Sequence, residues 1–210
     1  MRSFHAPVFV LLATFGFPAG AAPLLEVGDA AEITEDGLHR VALSIMDAAW
    51  VRPGLDLTPY NSVYVRRTGV SFRSNGDQQS GAVPDDLRPE LRSAFEQAFR
   101  DEFSRIGGIP ASTVPGRRIV MAQGFLVDVS MSRQPGETGT EMIQNLSWEA
   151  TIVLELRDSM SDAILARSVE RERIEDVIDS NFVRAQIGQL AQRWARLLHT
   201  RFDELVSISR

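Results

Sequence analysis

The stretch LSWEATIVLELR, residues 146–157, decides the architecture. Trp148, Ala150, Ile152, Leu154 and Leu156 share the even positions, whereas Glu149, Glu155 and Arg157 occupy odd ones. Side chains point to alternate faces of a strand. This period-two pattern therefore reads as a strand with an apolar inner face and a wet outer face, as in an antiparallel sheet covered on one side.

The neighbours extend the sheet. Upstream, Ile119 to Met131 places Ile119, Met121, Phe125, Val127, Val129 and Met131 on odd positions, with Gln123, Asp128 and Ser130 polar. The odd positions are expected to face inward. A loop with Pro135-Gly136 and Gly139 joins the two strands. Downstream, Asp158-Ser159-Met160-Ser161-Asp162 reads as a hairpin turn into a third strand from Ala163 to about Ile174. The alternating charges Glu170-Arg171-Glu172-Arg173 read as a solvated or edge segment. A fourth strand is expected over Ser62–Phe72, with Val63 and Val65 in one phase and Val70 and Phe72 in the other. Thr68-Gly69 at that slip suggests a bulge.

Two helices are expected. Asp85 or Asp86 can cap the first, Pro89 suits its opening turn, and Gly107-Gly108 ends it. Leu87, Leu91, Phe95, Phe99 and Phe103 recur every fourth residue, with Ala94, Ala98 and Ile106 on the same face. Such a stripe faces a core; a pocket for an apolar ligand is the alternative. The second helix runs from about Asn181 to Val206, capped by Asp179 or Ser180, with Val183, Ile187, Leu190, Ala191, Trp194, Leu197, Leu198, Phe202 and Leu205 as its stripe. The expected fold is a two-layer α+β domain, β-α-β-β-β-α. A largely antiparallel sheet of about four strands carries two long amphipathic helices on one face. Residues 60–210 form this domain, and residues 22–59 read as an extended arm laid over it with Trp50 as its anchor.

The chain starts with Arg2, an apolar run from Val8 to Phe17, and small residues around Ala19 and Ala21. That is the layout of a secretory signal peptide over residues 1–21, cleaved after Ala21. The run is short for a membrane span, and no later stretch supplies one. A soluble periplasmic or secreted protein is expected. Its cysteine count is 0, so disulfides, thiolate chemistry and an N-terminal lipid on cysteine are excluded. The formal net charge of −6 argues against nucleic acid, which needs a concentrated basic face. The doublets Arg66-Arg67 and Arg117-Arg118 are too small to change that.

No catalytic constellation stands out. After cleavage only His39 and His199 remain, too few and too scattered for a transition-metal site. There is no G-x-S-x-G elbow and no phosphate-binding glycine loop. Asp158 and Asp162 lack the glycine and distal glutamate of a calcium loop. Asp128, Glu149 and Glu155 read as solvated charges, and a close carboxylate pair in a cleft would be needed to make them glycosidase-like. No cofactor or metal is expected.

Asp36-Gly37-Leu38, the run Trp50-Val51-Arg52-Pro53-Gly54-Leu55-Asp56-Leu57-Thr58-Pro59-Tyr60-Asn61-Ser62-Val63-Tyr64-Val65, and the segments Glu149-Ala150-Thr151, Leu156-Arg157-Asp158-Ser159 and Ile164-Leu165-Ala166 carry a resemblance. Together, over about 36–205, they resemble a family of small bacterial envelope lipoproteins known as a domain of unknown function. The resemblance implies a place in the cell envelope and brings no catalytic residues. The chain departs from the family in lacking the lipid-bearing cysteine, and in having Arg66-Arg67 where an acidic-proline pair is common.

The leading expectation is a non-catalytic periplasmic protein that binds another envelope protein. Candidate partner-surface residues are Trp50, Arg66, Arg67, Arg73, Asn75 and Asp77, on the arm and around the polar loop Arg73–Ala82. The alternatives are a carboxylate-dependent hydrolase, favoured if Asp128 approaches Glu149 or Glu155 in a pocket, and a carrier of a small apolar ligand. An enclosed cavity lined by Phe95, Phe99 and Trp194 would favour the carrier.

Overall fold

The computed structural model describes residues 31–42, 46–73, 81–104, 109–135, 143–179 and 183–208. The expected signal peptide, Asn75, Asp77 and the Ser180 cap lie outside them.

Strand β7 (Ile143–Asp158) pairs antiparallel with β6 (Ile119–Pro135) on one side and β8 (Ile164–Asp179) on the other. Leu146, Trp148, Ala150, Ile152, Leu154 and Leu156 are all buried in the main core, as their alternation requires. Helices α1 (Arg88–Phe103) and α2 (Val183–Ile208) cover this face and contact each other. The α1 stripe Leu91, Phe95, Phe99 and Phe103 is at most 1% exposed, and Trp194, Leu198, Phe202 and Leu205 of α2 pack in the same core.

The ring centroids of Phe99 and Phe103 are 4.2 Å apart, and Phe202 meets Phe103 edge-on at 5.7 Å. A methyl group built on Gly124 of β6 would stand 2.8 Å from Phe99 and 3.0 Å from Leu198. Both helices thus approach the sheet too closely for a side chain at that position. Phe95, Phe99 and Trp194, the residues a carrier's cavity would need, are all 0% exposed in this core.

The sheet is larger than the sequence suggests. Besides β6–β8 it contains β1 (His39–Arg40), β2 (Ala48–Val51), β3 (Ser62–Val65), β4 (Gly69–Phe72) and β5 (Ala111–Ser112), giving eight strands instead of about four. Their order is β1-β2-β8-β7-β6-β3-β5, with β4 also on β6. Along β1-β2-β8-β7-β6 each strand pairs antiparallel with the next, but β3 and β4 run parallel to β6, and β5 runs parallel to β3. Helix α1 provides the crossover that a parallel connection requires. Residues 48–51 are a ladder strand on β8.

Two phase changes separate the observed strands from a simple alternation. Between Val65↔Ala122 and Gly69↔Phe125 the chain advances four residues against three, so the expected one-residue slip is present as a break between β3 and β4. In β6 the inward residues are first even (Val120, Ala122, Leu126) and then odd (Val129, Met131). The expectation that odd positions face inward throughout is therefore wrong before residue 128. Between Val127↔Thr151 and Ser130↔Glu149 the chain advances three residues in β6 against two in β7, and Asp128 adopts φ 54 within this bulge. Phe125 is released to the outer face, where it packs with Leu38, Ala48, Trp50, Val153, Ile164 and Val169.

The helix ends also differ from expectation. Leu87 is the N-cap of α1 with no side-chain cap, and Asp85 instead pairs with Arg88 at 2.9 Å. The helix ends at Phe103, before Gly107-Gly108. Asp179 belongs to β8.

Candidate functional site

The outer face of β6–β7–β8 divides into a covered half and an open half. Residues 36–42 and 46–52 cover the half near Glu155. There Trp50 opposes Arg167 across the β2–β8 ladder, and its indole N–H donates to the Ala31 carbonyl at 2.7 Å. Trp50 is 3% exposed, so the indole fixes the N-terminal segment to the sheet and presents little surface to a partner.

Glu155 was expected to be solvated, yet it is 0% exposed. Its Oε2 accepts from Arg157 Nε and Nη2 at 2.9 and 2.7 Å. Its Oε1 accepts from Arg167 Nε at 2.8 Å, with Arg167 Nη2 2.7 Å away. Arg167 also reaches Asp36 at 3.0 Å, Arg157 reaches Asp162 at 3.5 Å, and Asp162 meets Arg66 at 2.8 Å. Desolvating a carboxylate costs several kcal/mol unless charged donors surround it. Here two guanidinium groups do so, because register sets Arg167 directly opposite Glu155 and period two puts Arg157 on the same face.

The turn at this end is held by Asp158. Its Oδ1 accepts from the Met160 and Ser161 backbone N–H groups and from the Ser161 hydroxyl. These bonds, led by the Ser161 backbone N–H, hold its carboxyl below the usual value. Tyr60 donates its hydroxyl to Asp158 Oδ2 at 2.9 Å. Burial, followed by this bond to Asp158, pushes the phenol up to about 12.

The open half is a groove of about 410 Å³ whose lining includes Trp50, Arg73, Asp128, Glu149, Thr151 and Arg173. Thr151 and Arg171 face each other across β7 and β8, as do Glu149 and Arg173. Glu149 lies 3.2 Å from Arg173 and 4.0 Å from Arg73. These three side chains are 40–59% exposed, so water screens their pairing and it contributes little to stability. Asp128 and Glu149 line the same groove, whereas Glu155 belongs to the closed cluster.

Of the candidate surface residues, the structure brings Trp50 and Arg73 to this groove and places Arg66 and Arg67 elsewhere. Arg66 pairs with Asp162, and Arg67, 85% exposed, lies 3.6 Å from Glu96 of α1. Thr151, Arg171 and Arg173 were not singled out from sequence. The available signal was the odd parity of the charged half of β8, which aims Arg171 and Arg173 at the same face as Glu149.

Among the described residues no group of three or more His, Asp or Glu side chains could hold a metal ion, and no helix is long and apolar enough to cross a membrane. His199 stands alone on α2, 3.6 Å from Glu102 of α1.

No family model and no curated protein matches the chain. Solved structures share partial likeness. A minor lipoprotein from Acinetobacter baumannii is 10% identical, with 68% of this chain and 94% of that one covered at a TM-score of 0.34. A hypothetical protein from Chlamydia trachomatis is 10% identical over 70% of this chain and 98% of that one, at a TM-score of 0.42. A Xanthomonas campestris protein of the family DUF330 is 12% identical over 74% and 93%, at a TM-score of 0.35. At these TM-scores the likeness carries no argument about activity.

Proposed function

We propose that this is a non-catalytic protein of the bacterial cell envelope, exported by its first 21 residues, that acts by binding a segment of another envelope protein. The observation that carries this reading is the groove on the outer sheet face. It offers charges of both signs over a floor of strand residues, with a buried tryptophan at its wall. Such a surface suits an extended polypeptide carrying both acidic and basic groups. The envelope location is supported by the signal-like start and by the lipoprotein-family motifs at residues 36–65 and 149–166.

The test is a cross-linked pull-down of the tagged full chain from its own envelope, repeated with Thr151→Arg, which fills the groove floor without touching the core. One envelope protein recovered with the wild type, and at least roughly tenfold less with the variant, is the expected result. Equal recovery, or none above background with either protein, contradicts the proposal.

A second reading rests on Asp128 and Glu149 lining one groove, as a carboxylate-dependent hydrolase would need. Glu149 is engaged by Arg73 and Arg173, which is better suited to shaping a binding surface than to attacking a substrate. Hydrolysis of an envelope glycan that disappears in both Asp128→Asn and Glu149→Gln would establish this second reading instead.

A further inference from the structure

Three large apolar side chains are exposed among the described residues, and two of them stand at one end of the sheet. Met160, 65% exposed, lies in the turn between β7 and β8, and Val114, 62% exposed, in the loop between β5 and β6. Ser159 joins the two loops. Its hydroxyl accepts from the Gly116 backbone N–H at 3.0 Å and donates to the Gly116 carbonyl at 2.6 Å. Its own N–H donates to the Ile119 carbonyl at 3.3 Å. Each loop is also closed on itself, because Asp158 accepts from the Met160 N–H and the Ser112 hydroxyl donates to the Val114 carbonyl. Two apolar side chains are thus held out in water by a bonded backbone, which leaves little to order when they are covered.

Charge sets this end apart from the rest of an acidic chain. No carboxylate occurs from Ile109 to Val127, although the formal net charge of the whole is −6. Arg117 and Arg118 are exposed, and neither has a carboxylate partner among the described residues; Arg118 Nε donates to the Pro59 carbonyl at 2.8 Å. The carboxylates bonded into the turn are engaged, Asp158 by Ser161 and Tyr60, and Asp162 by Arg66 and Arg157.

We propose that this tip docks on the surface of an anionic lipid bilayer, with Val114 and Met160 at the headgroup–acyl boundary and Arg117 and Arg118 beside lipid phosphates. Exposed apolar groups flanked by cations without carboxylate partners match such a surface in both respects. A stable protein interface buries roughly 800 Å² on each side; a tip of two turns offers a rigid partner little of that, whereas lipid headgroups rearrange around it. Two apolar side chains and two charges make a weak, reversible contact. Docking also orients the molecule. Thr151 on the groove floor lies seven residues from Asp158 along β7, which sets the groove roughly 23 Å back from the docked turn at about 3.3 Å per residue.

The inference does not rest on the proposed binding function. Because the chain has no cysteine, Thr113→Cys carries its single thiol and takes a polarity-sensitive fluorophore beside Val114. The labelled protein, as isolated from its own cells, is titrated with vesicles of phosphatidylcholine and phosphatidylglycerol, and with phosphatidylcholine alone. A blue shift is expected with the anionic vesicles, with at least roughly fivefold weaker binding to the neutral ones. Arg117→Glu and Met160→Asp, both at exposed positions, are each expected to weaken the anionic binding at least roughly fivefold while keeping the wild-type unfolding midpoint. A label that stays in water with both lipids overturns the proposal, whether or not it then cross-links to an envelope protein. So does a shift of equal strength with neutral vesicles, or one that neither variant weakens.

Discussion

Glu155 and Glu149 lie on the same face of the same strand, and each stands between two arginines. Around Glu155 the acceptor is 0% exposed and its arginines are 12–19% exposed, with distances of 2.7–2.9 Å. Around Glu149 the three side chains are 40–59% exposed and lie 3.2–4.0 Å apart. The residue types are nearly the same; the difference is the cover. Leu38, Ala48 and Trp50 close over one half of the face; on the other half Arg73, Glu149 and Arg173 stay exposed. Ionic groups under the cover become part of the fold, and those beyond it remain available to a partner.

That contrast can be broken at several points. Trp50→Ala removes the largest side chain of the cover and the indole bond to Ala31, and is expected to cost about 3–5 kcal/mol in urea unfolding. A loss below about 1 kcal/mol would show that the N-terminal segment is an appendage. Tyr60→Phe removes the hydroxyl bond to Asp158 and is expected to cost about 1 kcal/mol at neutral pH. The raised phenol adds a pH signature. Tyr60 is held neutral in the fold, so its stabilisation is complete below its ordinary value of 10.0 and fades as pH rises towards about 12. Wild-type stability should therefore fall more steeply than that of Tyr60→Phe across this alkaline window; parallel curves would contradict the assignment. Glu149→Gln should change stability by less than about 0.5 kcal/mol, as expected of an exposed pair. A larger loss would place the groove within the structural half.

The inner face was legible from residues 146–157 and from the two helical stripes, because each element there buries one uninterrupted side. The order of β6, β7, β8 and α2 followed from the same periodicity. Two features were hidden for physical reasons. The bulge at Asp128 reverses the phase of β6 midway, so apolar residues of both parities are buried, on opposite faces. Strands β1, β2 and β5, of two to four residues, are too short to show any period. Alternation alone also sends every charge on β7 outward. It did place Glu155 on the outer face, but it could not show that Arg167, set opposite by register, would allow that face to be closed. The candidate surface was partly read: Arg73 reaches the groove, Trp50 forms its wall from a buried position, and Arg66 pairs with Asp162 at the exposed margin of the Glu155 cluster.

The most direct test of the two-halves account is the urea unfolding of Glu155→Gln beside that of Glu149→Gln. Neutralising Glu155 leaves Arg157 and Arg167 buried without their shared acceptor, and a loss of about 3–5 kcal/mol is predicted. A change within about 1 kcal/mol, matching that at Glu149, would mean that the covered cluster is no more structural than the open one, and the account would fail.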